Sequence, residues 1–105
     1  LADYQKLISY GAYTLRYCFL EFLQGTQTAQ TDLQYSREYV MASICQEIAL
    51  TWGEAILFSD TEIPFNGKAW FDAFFQNAHQ LSKQYTNEEL EKMYPASFLL
   101  LQMTE

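Results

Sequence analysis

From Thr31 to Ser59 the chain reads TDLQYSREYVMASICQEIALTWGEAILFS, without a proline and with apolar residues at helical spacing. Val40, Ile44, Ile48 and Trp52 follow one another every four residues, flanked by Met41, Cys45 and Ile56. Residues four apart lie one above another on an α-helix, so this spacing writes one wide apolar face. Asp32, Ser43, Gln46, Glu47 and Glu54 fall on the opposite side. The stretch is read as an amphipathic central helix, capped by Thr31 or Asp32, with the other helices packed around it. Unbroken, it would be roughly 42 Å long at 1.5 Å per residue. A compact domain of this length is roughly 33 Å across. The helix must therefore bend, break or stretch the domain, and Gly53 is its weak point.

The flanking segments also read as helical. Residues Ala2 to Gln24 place Tyr4, Leu7, Ile8, Gly11, Leu15, Cys18, Phe19 and Phe22 on one arc, with Gly25 as a C-terminal stop. Gly25 to Gln30 is a polar linker, and Ser59 to Gly67, with Pro64 and the Asn66-Gly67 turn pair, is a loop. A third helix is predicted from about Lys68 to Tyr85, with Trp70, Phe71, Phe74, Ala78, Leu81 and Tyr85 on its core side. Thr86-Asn-Glu-Glu89 is a capping box that starts another helix, which ends near Tyr94 because Pro95 follows. Pro95 then opens a last helix from Ala96 to Met103, with Phe98 and Leu101 facing inward. Strand signals are absent. The expected fold is all-α, a four- to five-helix bundle, orthogonal or slightly elongated, formed by residues 1–105 as a single domain. The start at Leu1 rather than Met suggests a domain excised from a longer protein.

Composition narrows the function. Half the residues are hydrophobic, 17% are aromatic and 18% are charged, so the core is rich in large side chains and disorder is excluded. The formal net charge is −7, and the six cations Lys6, Arg16, Arg37, Lys68, Lys83 and Lys92 are scattered. Nucleic acids and anionic membranes need clustered Lys and Arg, so neither is an expected partner. No apolar run reaches the length of a membrane span, and no signal peptide is visible. Cys18 and Cys45 fall on inferred core faces and read as buried, reduced thiols of a cytoplasmic protein.

Chemistry-bearing patterns are sparse. His79 is the only histidine and lies beside Asp72, Gln76 and Lys83 on a polar helix face, so a zinc site is not expected. Glu88, Glu89 and Glu91 lie at a helix start, and Asp60 and Glu62 in a loop, where carboxylates match the helix dipole or solvent. Two carboxylates set up for acid–base work need one of them desolvated, which these surroundings do not provide. No enzymatic activity and no cofactor are expected.

Ala78-His79-Gln80-Leu81, with Lys83 one turn on, resembles the start of the histidine phosphotransfer motif. That resemblance implies an acidic helical bundle accepting a phosphoryl group on His79. The family has lysine and glycine directly after the leucine, where this chain has Ser82 and Lys83. Leu15-Arg16-Tyr17-Cys18, followed by Gly25, resembles a helix of the phycobiliproteins, without their bilin-bearing Cys-x-Arg-Asp pattern.

The remaining feature is a second apolar row on the first helix. Tyr10, Tyr13, Tyr17 and Leu20 recur at spacings of three, four and three, opposite the core face. Either a neighbouring helix covers this row or a partner does, and tyrosine is favoured at interfaces. The leading expectation is a protein–protein interaction and regulatory domain, self-associating as a homo-oligomer through these four residues. The alternative is an effector-type domain holding a small apolar or aromatic ligand in a pocket lined by Trp52, Trp70, Phe71 and Phe74.

Overall fold

The computed structural model describes residues 10–25, 32–54 and 66–105. Among these the protein is all-α, with no strand and five helices: α1 (Ala12–Gln24), α2 (Asp32–Thr51), α3 (Gly67–Gln84), α4 (Asn87–Met93) and α5 (Pro95–Met103). α2 packs against α1, α3 and α5, while α4 joins α3 to α5. α1 runs antiparallel to α2. Gly11 meets the Trp52 ring near one end and Arg37 bonds to Glu21 near the other, so the contacts ascend along one helix as they descend along the other.

The long central stretch does break where the geometry demands. α2 ends at Thr51, and Gly53 adopts φ 81°. The Glu54 N–H donates to the Ala49 carbonyl at 3.0 Å and the Gly53 N–H to Leu50 at 2.9 Å, the paired bonds of a Schellman cap. Ile56 and the rest of the expected helix to Ser59 lie outside the described residues, as do Thr31, Asp60, Glu62 and Pro64. Tyr4, Leu7 and Ile8 lie outside them too. At the other end of α1, Gly11 takes φ 49° and interrupts the helix expected from Ala2 onward.

Helical periodicity placed most of the core correctly, with two corrections along α2. Ile44 and Ile48 are buried, but Val40 and Trp52 are exposed. A row of residues spaced by four drifts about 40° per step around a helix of 3.6 residues per turn. Across Val40 to Trp52 the row winds by about 120°, so its middle faces the core and its ends swing out. Two residues assigned to the polar side, Gln46 and Glu54, are buried. Gln46 accepts a hydrogen bond from Trp70 Nε1 at 3.0 Å, which satisfies the indole inside the core. Glu54 lies beyond the end of α2, where the helical wheel no longer applies.

Leu15, Cys18, Phe19 and Phe22 of α1 meet Trp70, Phe71 and Phe74 of α3 in an aromatic layer. Phe22 stacks on Phe71 at 4.7 Å and Trp70 on Phe74 at 5.1 Å. The capping box at α4 is formed, with Thr86 Oγ1 accepting from the Glu89 N–H and Glu89 Oε1 from the Thr86 N–H. Pro95 opens α5 as expected. The inward side of α5 is Ala96, Ser97 and Leu100, however, while Phe98 and Leu101 are half-buried. The Glu54 carboxylate holds the Ala96 and Ser97 amides, and this grip on the first turn sets which face of α5 turns inward.

The Asn66-Gly67 pair starts α3 for two separate reasons. Asn66 Oδ1 accepts from the Lys68 and Ala69 amides at 2.8 and 3.3 Å, an N-cap in standard geometry. Gly67 lets the start of α3 touch the α2 backbone: a Cβ there would overlap the Glu38 carbonyl and lie 2.7 Å from the Tyr39 nitrogen. Main chain cannot rotate aside as a side chain can. Gly67→Ala is therefore expected to cost about 3 kcal/mol, the upper end of the usual overpacking range. Urea unfolding checks this, and a loss under about 0.5 kcal/mol, within the range of a surface change, would mean that the two helices approach less closely.

Candidate functional site

The four residues of the second α1 row are all solvent-exposed. Tyr10 is 54% exposed, Tyr13 79%, Tyr17 57% and Leu20 48%. Tyr13, Tyr17 and Leu20 sit on the helix that buries Leu15, Cys18, Phe19 and Phe22 on its other side, and Tyr10 precedes it, before the break at Gly11. Scattered exposed apolar residues are ordinary, but a row of three large ones on one helix, with a fourth just before it, is not.

The row continues onto α2. Tyr17 joins Leu33, Ser36, Arg37, Val40 and Met41 around an open depression of about 390 Å³ at the α1–α2 seam. A second depression of about 530 Å³, lined by Tyr35, Ser36, Tyr39, Val40 and Asn66, shares Ser36 and Val40 with the first. Leu33, Tyr35, Tyr39 and Val40 are all exposed. Sequence reasoning missed this half of the surface. Val40 had been assigned to the core, and the other three belong to no single helical row. Arg37 fixes the seam: its Nη2 donates to the Tyr17 hydroxyl at 2.8 Å and pairs with the Glu21 carboxylate.

Of the four residues of the expected ligand pocket, three lie in one layer and Trp52 does not. Trp70, Phe71 and Phe74 are buried in the aromatic layer and fill it with their own rings. Trp52 lies apart from them, against Gly11 and beside Arg16, Pro95 and Phe98. His79 is exposed on α3, its ring stacked on Phe75 at 4.7 Å, and Lys83 is exposed one turn further on.

Two buried features carry unusual chemistry. Cys18 of α1 and Cys45 of α2 are free and buried. The Cys45 thiol holds Cys18 below the ordinary thiol range against the opposing effect of burial, whereas burial pushes Cys45 well above it. Glu38 is buried with Oε1 unpartnered, and Oε2 accepts only a long bond of 3.4 Å from Gln34. Among the described residues no three His, Cys, Asp or Glu side chains gather as a metal ion would need. No described helix is long and apolar enough to cross a membrane. In comparison with known proteins, the chain matches no family model, no curated protein and no solved structure.

Proposed function

We propose that this chain is a helical interaction domain that associates with a second copy of itself through the exposed α1 row. It then serves as an assembly or regulatory module of a cytoplasmic protein. The observation that carries this reading is the exposure of Tyr13, Tyr17 and Leu20 together, on a helix whose opposite face already fills the core, with Tyr10 exposed just before it. Tyrosine supplies large contact area at small entropic cost and keeps a hydroxyl for the polar rim, which is why it is enriched at interfaces. Arg37 and Glu21, paired beside Tyr17, provide such a rim.

The test is the Tyr13→Glu, Tyr17→Glu double variant, followed by sedimentation and far-UV circular dichroism. A helical variant that sediments as monomer, against an associated parent, is the expected result. An unfolded variant would mean that this row, with the Tyr17–Arg37 bond, holds the monomer together, and the reading would fail. A parent that remains monomeric at high concentration would end the proposal.

A further inference from the structure

We infer that the partner surface is the α1 row together with the α1–α2 groove, and that Tyr13 of one copy seats in the groove of the other. This rests on the proposed self-association and specifies its geometry. The first argument is continuity. Tyr17 belongs both to the row and to the groove, and Val40 links the groove to the neighbouring depression. Tyr13, Tyr17 and Leu20 of α1 thus join Leu33, Tyr35, Tyr39 and Val40 of α2 in one surface of seven exposed residues.

The second argument is area. A large aromatic side chain carries roughly 150–250 Å². With fractional exposures from 45% at Tyr39 to 79% at Tyr13 and Leu33, these seven residues present on the order of 800 Å², what each partner gives to a standard interface. A smaller ligand would leave much of that surface wet.

The third argument is charge. The whole chain carries −7, which disfavours bringing two copies together. Among the described residues Arg37 is the one charged residue lining the two depressions, and Glu21 already pairs with it. The carboxylate that a second copy meets beside the groove, Glu21, is already neutralised by that pair.

The fourth is symmetry. A two-fold contact uses the same patch on both copies, so it needs a projection and a recess on one face. If α1 crosses its own copy antiparallel about Tyr17, Tyr13 of one copy falls opposite Glu21 of the other. Glu21 is bonded to Arg37 at the groove wall. Tyr13, the most exposed residue of the row, is the projection, and the space between Leu33 and Val40 is the recess.

The test measures dissociation constants by sedimentation for the parent, Val40→Lys, Tyr13→Ala and the pair combined, with helicity checked by circular dichroism. Val40→Lys places a charge in the recess without touching α1. It should weaken association roughly tenfold or more, as truncation at an interface centre does. The combined variant should lose less than the product of the single losses, because both changes remove one contact. Leu33→Lys, at a more exposed wall of the same groove, replaces Val40→Lys should the latter unfold, and the same weakening is expected. Suppose the Tyr13→Glu, Tyr17→Glu variant dissociates while both groove variants keep the parent's constant within about twofold. The copies then meet by the α1 row alone, and the groove inference is wrong while the proposed function stands. Fully multiplicative losses would also overturn the seating of Tyr13. A monomeric parent overturns both.

Discussion

Glu54→Ala is expected to destabilise the protein by about 3–5 kcal/mol, because each buried donor left without its acceptor costs about 1–3 kcal/mol. Glu54 is 2% exposed, and its carboxylate accepts from the Ala96 amide at 2.7 Å, the Ser97 amide at 3.2 Å and the Ser97 hydroxyl at 2.6 Å. Those amides are the second and third of α5, donors that no helix can satisfy internally. Tyr94, at the N-cap position, offers no side-chain bond. Glu54 therefore acts as the cap of α5 from the far end of α2, and its charge faces the positive end of that helix. Alanine would leave three donors buried without an acceptor. Glutamine keeps one acceptor oxygen, so Glu54→Gln should cost less, about 1–2 kcal/mol.

The pH dependence separates the two roles of this carboxyl. Burial holds it above the ordinary glutamate range, against the opposing pull of the Ser97 hydroxyl and the two amides. The folded protein therefore keeps the proton to higher pH than the unfolded chain does. Over that interval the folded state binds more protons, so the contribution of Glu54 to stability falls as pH rises from the ordinary range through the raised one. Glu54→Gln should remove that slope. Urea midpoints measured on both proteins across the acid side decide it, and parallel curves would mean that the carboxyl is not shifted.

Local rules were legible and tertiary ones were not. The Thr86–Glu89 box, Pro95 at the head of α5 and the aromatic row of α3 each depend on residues within a turn or two, and each is formed. Gln46, Glu54 and Glu38 were hidden because their burial depends on distant segments. Trp70 lies 24 residues from Gln46, and Ser97 lies 43 from Glu54. Glu38 is buried where the start of α3 presses its backbone onto α2, and no pattern around Glu38 announces that approach. Gly67 held the clue, but a glycine in a turn pair and one at a helix crossing look alike in sequence. The candidate surface divides the same way. A second apolar row on α1 is a property of one helix and could be read directly. The groove needs α1 laid against α2, and the drift of the Val40 row decides which of its members is left outside.

Phe71→Ala is the second change with a large expected effect, about 3–5 kcal/mol as for other buried phenylalanines. Phe71 is 1% exposed and lies at the crossing of two helices. It stacks on Phe22 of α1 at 4.7 Å, tilts against Phe19 at 6.0 Å and against Phe75 at 5.8 Å. Lys68 adds a cation over the ring at 5.2 Å, worth about 0.5–1 kcal/mol at an exposed edge. Most of the loss therefore comes from the ring's burial and from the cavity it leaves. Coupling with Phe22 should appear as about 0.5–1.5 kcal/mol in a double-mutant cycle. The same variant bears on the ligand-pocket reading, since the chain's own ring occupies the space a bound ring would need. Once Phe71 is removed, the cavity walls are apolar and stay dry, so benzene should enter and restore part of the lost stability by mass action. The parent should gain nothing from benzene under the same conditions. A parent stabilised as strongly as the variant would mean that an aromatic-lined cavity already exists beside Trp70 and Phe74, and the case for an interaction domain over a ligand-binding one would reverse.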